Sequence, residues 1–263
     1  MPNNFKHKQN IAIWHIDPAQ ITAPKCIENL KNWLSNAETE RMVRFHQAKH
    51  QHAFLISHAL KRATLAQVLD LAPAELEFGV GSHGRPFLLG HGQHSLQFNL
   101  SHTDGMAAIA ISQDAYVGLD VENLTRNVPE TAFAARFFTP LEHDDILAHE
   151  HTPNSHRLLE YWTLKEAYIK AEGLGISIGL DTFYFELNES SLKIQFTPEA
   201  RPPSQPWQFM QFKPMPRHLM ALAWAPIPDQ TKQLKTHDLS NIQEPPCTLN
   251  CAVKAADQFF NVD

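Results

Sequence analysis

Four side chains in this sequence have the types and spacing to do chemistry together or in pairs. Asp120 and Glu122 stand two residues apart in Tyr116-Val117-Gly118-Leu119-Asp120-Val121-Glu122, and Glu166 and Lys170 stand four apart in Trp162-Thr163-Leu164-Lys165-Glu166-Ala167-Tyr168-Ile169-Lys170. On a strand, residues two apart share a face, so the first two carboxylates would sit side by side with Cα atoms about 7 Å apart. They repel unless a cation lies between them, most simply a hard divalent ion that prefers oxygen ligands. The competing reading is a solvent-facing edge strand, where water does the screening. On a helix at roughly 100° per residue, Leu158, Ile169, Trp162 and Leu159 form an apolar stripe, and Glu166 falls inside it. Burying even a neutral polar group costs roughly 2 to 7 kcal/mol, so a carboxylate aimed at the core needs neutralising or a matching cation. Lys170 at i+4 supplies one in the favourable order. The pair is then either an ordinary helical ion pair at the rim of a core or part of a site for a charged ligand.

Basic side chains that could meet such a ligand lie upstream. Arg41 and Arg44, three apart on one helical face, are either a solvated face or a phosphate grip. Arg85 sits in Gly81-Ser82-His83-Gly84-Arg85-Pro86, which must be a loop because glycine and proline flank it. Ser101 and His102 end the alternating stretch Leu96 to Ser101 at a hairpin mouth, where a histidine is either a turn residue or a ligand contact.

The elements that must position these groups follow from the same periodicities. Ile11 to Ile16 reads as a strand, Ser35-Asn36-Ala37-Glu38 as a capping box opening the helix of Arg41, and Lys49 to about Leu69 as a longer helix. Glu77 to Val80 is extended, and Met106 to Ser112 is the strand after the His102-Thr103-Asp104-Gly105 turn. Thr131 to Phe138 forms a short helix, Thr139-x-x-Glu142 with Pro140 caps the next, and a polar loop over His149 to Asn154 leads into the central helix from about Ser155 to Glu172. Gly173-Leu174-Gly175 lacks the strand-turn-helix setting of a phosphate loop and reads as that helix's C-cap. Phe183 to Leu187, Leu192 to Phe196, Trp207 to Phe212 and Leu219 to Trp224 read as a meander of strands. The end of the chain reads as a loosely held tail with a short helix near Ala252 to Phe259.

Composition bounds the rest. With 263 residues and 43% hydrophobic content the chain can bury a substantial core. Its 22 Lys and Arg against 28 Asp and Glu give a net charge of -6, which argues against a broad nucleic-acid surface. Cys26, Cys247 and Cys251 are no disulfide framework, and Cys247 with Cys251 lacks a second ligand pair for zinc. Neither a secretory leader at Met1 to Asn10 nor a run of about 20 apolar residues is seen, so a soluble cytoplasmic protein is expected.

Three ordered segments are specific enough to point to a family: Phe98-Asn99-Leu100-Ser101-His102, Val117-Gly118-Leu119-Asp120-Val121-Glu122 and Trp162-x-x-Lys165-Glu166-Ala167-x-x-Lys170. With Gly84-Arg85-Pro86 before them and Arg136-Phe137-Phe138 between the last two, they resemble the Sfp-type 4′-phosphopantetheinyl transferases over Arg41 to about Trp224, most of the chain. The resemblance implies an α+β fold, a pseudo-dimer of two similar lobes with a ligand cleft between them. The lobes fall at residues 1–116 and 117–228, the second carrying the metal site, with a tail at 229–263. It further implies transfer of the 4′-phosphopantetheine arm of coenzyme A to a serine of an apo acyl or peptidyl carrier protein, releasing adenosine 3′,5′-bisphosphate. Such transfer serves fatty-acid, polyketide or nonribosomal-peptide biosynthesis.

By position, Asp120, Glu122 and Glu166 match the residues that hold magnesium. Glu166, Lys170 and His102 match those closest to the reaction, and Arg41, Arg85, Ser101, His102, Lys165 and Lys170 match contacts to the coenzyme. Glu166 would serve as metal ligand, as base toward the serine, or as both. Two departures stand out: Arg85 replaces a frequent lysine, and the family's cation upstream of Arg41 falls on Glu38. A monomer acting without nucleic acid or membrane is expected. A metal-dependent phosphohydrolase and a non-catalytic carrier-protein binder are the alternatives.

Overall fold

A computed structural model describes residues 9–90, 96–126, 130–149, 156–188, 191–227, 253–255 and 260–262. The chain divides into two compact units, residues 1–81, 86–116 and 226–263 forming the first and residues 82–85 and 117–225 the second. Both combine helices with sheet, as an α+β chain should.

In the first unit β1 (Gln9–Ile16) is followed by α1 (Pro24–Lys31), α2 (Asn36–Val43) and α3 (Ala48–Leu69). Two hairpins come next, β2 (Phe78–Val80) with β3 (Pro86–Leu88) and β4 (Gln97–Thr103) with β5 (Met106–Ser112). Strand β5 is the centre of the sheet, antiparallel to both β1 and β4, with Ile109 opposite Trp14 on one side and Leu100 on the other. Every residue of β5 is buried. That is why it is almost wholly apolar rather than alternating, as a strand covered on both faces must be. Ala107, Ile109 and Ile111 share one core with Leu55, Ile56, Ala59 and Leu60 of α3. The β4–β5 ladder runs on through His102 opposite Ala107, so His102 is a strand residue and the turn is Asp104-Gly105, where Gly105 takes φ 82°.

The capping box at the start of α2 forms as its spacing requires: Ser35 N donates to Glu38 Oε2 at 3.0 Å and Glu38 N to Ser35 Oγ at 3.3 Å. The same carboxylate then reaches α3. Lys61 Nζ lies 2.8 Å from Glu38 Oε1, Arg62 binds Glu38 Oε2 through both Nε (2.9 Å) and a terminal nitrogen (2.6 Å), and His58 Nδ1 is 2.8 Å from Oε1. Residue 38 is therefore acidic because it neutralises two buried cations, a demand that excludes the basic residue expected there by resemblance. Burial acts to raise the Glu38 pKa, but hydrogen bonds and charge from His58 and Lys61 prevail and hold it far below the usual carboxylate range. Glu38→Gln leaves Lys61 and Arg62 buried without their counter-charge, and a loss of about 3 kcal/mol in unfolding free energy is expected in urea titrations at neutral pH. Because the folded-state pKa is depressed, this stabilisation is present above the ordinary glutamate value and fades as pH falls below it. The gap between native and variant should narrow under acid. A gap independent of pH would sink the electrostatic account.

The second unit runs β6 (Ala115–Asn123), α4 (Glu130–Phe137), α5 (Pro140–His149), α6 (Arg157–Glu172), β7 (Phe183–Asn188), β8 (Ser191–Phe196), β9 (Gln208–Met215) and β10 (His218–Pro226). The strands expected as one meander separate into a β7–β8 hairpin and a sheet ordered β6-β10-β9. The break falls at Pro198, Pro202, Pro203 and Pro206, which lack the N–H needed to carry a ladder onward. Helix α6 ends at Gly173, left-handed at φ 70°, whose N–H returns to Ile169 O at 2.9 Å. It is buried almost all round, and Trp162, Glu166 and Lys170, at i, i+4 and i+8, form its half-buried stripe. Glu166 therefore belongs to the least covered face, not to a core-facing stripe. The apolar periodicity misleads because Thr163 and Lys165, polar by type, are also buried.

The end of the chain returns to the first unit. β11 (Val253–Ala255) and β12 (Phe260–Val262) lie antiparallel along β1, with Val253 opposite Ile16 and Phe260 opposite Ile11. Strands replace the expected helix here, because β1 otherwise presents an unpaired edge whose donors and acceptors a returning chain can satisfy. Ala252, residues 256–259, Cys247, Cys251 and the loop residues 150–155 lie outside the described residues.

Candidate functional site

In the second unit the site is built where α6 crosses β6. Residue 118 must be glycine: a Cβ there would overlap Ala167 O and lie 2.5 Å from Ala171 N and 2.7 Å from Ala171 Cβ. Helix backbone thus rests directly on strand backbone. Asp120 and Glu122 follow on the same face of β6, since residues two apart point the same way. Both are buried, at 5% and 8% exposure, which removes the solvent-facing edge reading.

Above them Lys170 Nζ donates to Asp120 Oδ1 at 2.6 Å. The ion pair thus joins helix to strand, where the i, i+4 spacing had suggested a pair within the helix. Glu166, one turn earlier, keeps an electrostatic attraction to Lys170 and repulsion from Asp120 and Glu122; burial first, then those two carboxylates, push its pKa above the ordinary range against the pull of Lys170. Sequence reasoning missed Arg126, whose guanidinium reaches Glu122 Oε1 at 3.0 Å. A turn folds it back, with Thr125 N and Oγ1 both donating to Asn123 Oδ1 at 2.9 and 2.7 Å and Arg126 N to Asn123 O at 3.0 Å. The Asn-x-Thr pattern was the signal for it.

An all-oxygen donor set of three mutually repelling carboxylates suits a hard divalent ion. Among the described residues, no group of three or more His, Cys, Asp and Glu side chains is placed so that it could hold a metal ion. As placed, Lys170 and Arg126 supply the positive charge at Asp120 and Glu122.

Lys165 lies in the interior. Its ammonium is 0% exposed and donates to Leu180 O and Phe183 O at 2.7 Å each, with Glu142 Oε2 at 2.8 Å. Three oxygens in the interior satisfy all its N–H donors, so it ties α6 to α5 and β7 where the resemblance implied a coenzyme contact. Glu142, read from sequence only as a cap, does both jobs: Thr139 N donates to its Oε2 at 3.1 Å and Phe185 N to its Oε1 at 3.0 Å. Arg85 belongs to the second unit and donates to Ala171 O at 2.7 Å and Val117 O at 3.4 Å.

The remaining candidates lie in the first unit. Arg41 and Arg44, with Ala37, Glu40 and Phe45, line a cavity of ≈ 510 Å³. His102 is exposed on a second cavity of ≈ 600 Å³ together with Lys49, His50, His52 and Phe45. Lys49 pairs with Asp104 at 2.7 Å, and His52 Nε2 lies 2.8 Å from Pro18 O. Ser101, next to His102, points the opposite way, is 3% exposed and is not among the residues lining either cavity.

Two family models match in tandem: one described as 4′-phosphopantetheinyl transferase, N-terminal, over residues 23–114, and one described as 4′-phosphopantetheinyl transferase superfamily over residues 116–223. A 4′-phosphopantetheinyl transferase of Bacillus pumilus is 30% identical, covering 69% of this chain and 76% of the relative. HetI of Nostoc is 28% identical over 85% of this chain and 91% of its own length, and Sfp of Bacillus subtilis 26% identical over 67% and 76%. The matched transferases leave the hydrolase and the non-catalytic binder without support. No helix among the described residues is long and apolar enough to cross a membrane. The two matched regions together take in both the cavities beside Arg41 and His102 and the carboxylates held between β6 and α6, and the chain belongs to the 4′-phosphopantetheinyl transferase family, whose members transfer the phosphopantetheine arm of coenzyme A to carrier proteins.

Proposed function

We propose that this chain attaches phosphopantetheine to a carrier-protein serine with magnesium held by Asp120, Glu122 and Glu166, acting as a monomer. The observation that carries this reading is the convergence of three carboxylates and Lys170 at the α6–β6 crossing, where Asp120 and Glu122 act electrostatically on Glu166 and Lys170 Nζ lies 2.6 Å from Asp120 Oδ1. Bound there, the ion would supply charge neutralisation for the coenzyme's diphosphate and for the departing adenosine 3′,5′-bisphosphate.

The protein's own groups then have separate tasks. Glu166 would serve as ligand to the ion, as base toward the attacking serine, or as both. Lys170, held beside it on the next turn, donates to the oxygens of the transferred phosphoryl group, where positioning and charge matter more than covalent help. In the first unit Arg41 offers a cation, and His102 an exposed imidazole, to a phosphate group in a chain whose net charge is -6.

The test is mass spectrometry of several apo carriers, fatty-acid, polyketide and nonribosomal-peptide, incubated with coenzyme A and magnesium. At least one carrier is expected to gain a single phosphopantetheine at its serine, with one bisphosphate released per carrier modified. Steady bisphosphate release without any carrier would point to hydrolysis and overturn the proposal.

A further inference from the structure

Arg85 stands at the point where α6 and β6 come closest. Ala171 O belongs to the last turn of α6, whose carbonyls have no partner within the helix, and Arg85 donates to it at 2.7 Å. Its other terminal nitrogen reaches Val117 O at 3.4 Å, one residue before the glycine that lets Ala167 and Ala171 rest on the strand. A third feature fits the same arrangement. A Cβ on Gly173, the helix's C-cap, would lie 3.2 Å from Arg85 Cδ, so the glycine leaves room for the arginine stem. A cation at a helix C-terminus is also where the helix dipole favours it.

We propose that Arg85 is a positioning residue: its planar guanidinium staples the last turn of α6 to β6 and so fixes the spacing between Glu166 and Lys170 on the helix and Asp120 and Glu122 on the strand. The functional half of this inference rests on the magnesium reading above. A fork with fixed geometry can bridge two carbonyls on different elements, whereas a lysine ammonium, a point charge on a flexible stem, satisfies one without setting the angle to the other. The conservative substitution therefore separates positioning from simple attraction of phosphate.

The experiment compares native protein, Arg85→Lys and Arg85→Gln, all without coenzyme. Amide hydrogen exchange over Lys170–Gly173 is expected to quicken roughly tenfold in both variants, while exchange in the β9–β10 pair stays as in the native protein and reports intact folding. Manganese binding, followed by electron paramagnetic resonance, should weaken roughly tenfold in both. Arg85→Lys behaving like the native protein in both measurements overturns the proposal, because charge alone would then suffice. So does a loss confined to coenzyme A affinity. If the native protein and Asp120→Asn bind manganese equally, the metal reading falls instead, and unchanged or quickened exchange over Lys170–Gly173 still decides the staple.

Discussion

Glu166→Gln is expected to lower carrier modification by roughly 100-fold or more while coenzyme A still binds, because on the proposed reading it removes a metal ligand and base while keeping the shape. The side chain is half-buried on the α6 stripe with Asp120 and Glu122 opposing its ionisation and Lys170 favouring it. An amide there neither accepts the serine proton nor adds negative charge for a divalent ion. Asp120→Asn should behave differently, raising the magnesium concentration for half-maximal rate before the maximal rate collapses, as expected of a ligand that is not the base. Initial rates measured across magnesium concentrations distinguish the two. If Glu166→Gln kept near-native transfer at limiting magnesium, the α6 stripe would be structural and its ion pairing sufficient to explain these residues.

The second large effect is expected far from any reacting atom. Gly118→Ala places a methyl group against Ala167 O and within 2.7 Å of Ala171 Cβ, and the atoms in the way are mostly helix backbone. A flexible side chain could step aside, but backbone in the middle of a helix cannot. Overpacking of this kind costs about 3 kcal/mol, near the upper end for an inserted methyl. For a unit of this size the unfolding midpoint should drop by roughly 10 °C. Manganese affinity should fall as well, since lifting α6 off β6 separates Glu166 from Asp120 and Glu122. A variant with native melting temperature and native manganese affinity would show that the crossing has slack, and would remove the basis for treating it as the ruler of the site.

Much of the architecture was legible in the sequence because the signals are local. The capping boxes at Ser35 and Thr139, the left-handed cap at Gly173 and the apolar runs of β1 and β5 depend on residues within a few positions of one another. The tail was misread for the converse reason: Val253 to Ala255 and Phe260 to Val262 are strands because β1 offers an edge, a partner more than two hundred residues away in sequence.

By itself the sequence determined which residue types were available for chemistry and in which order: the two carboxylates of β6, the Glu and Lys of α6, and the family to which that ordered set belongs. It could not assign partners. Burial decided that Lys165 serves Glu142 and two carbonyls, where the family resemblance implied a coenzyme contact. Cross-element distance decided that Lys170 answers Asp120, fifty residues earlier in the chain. The pleat decided that of the neighbours Ser101 and His102 the first is buried and the second is exposed on a cavity. Each of these depends on what lies on the far side of a side chain, and periodicity fixes only the direction in which a side chain points, never the group that tertiary packing brings to meet it.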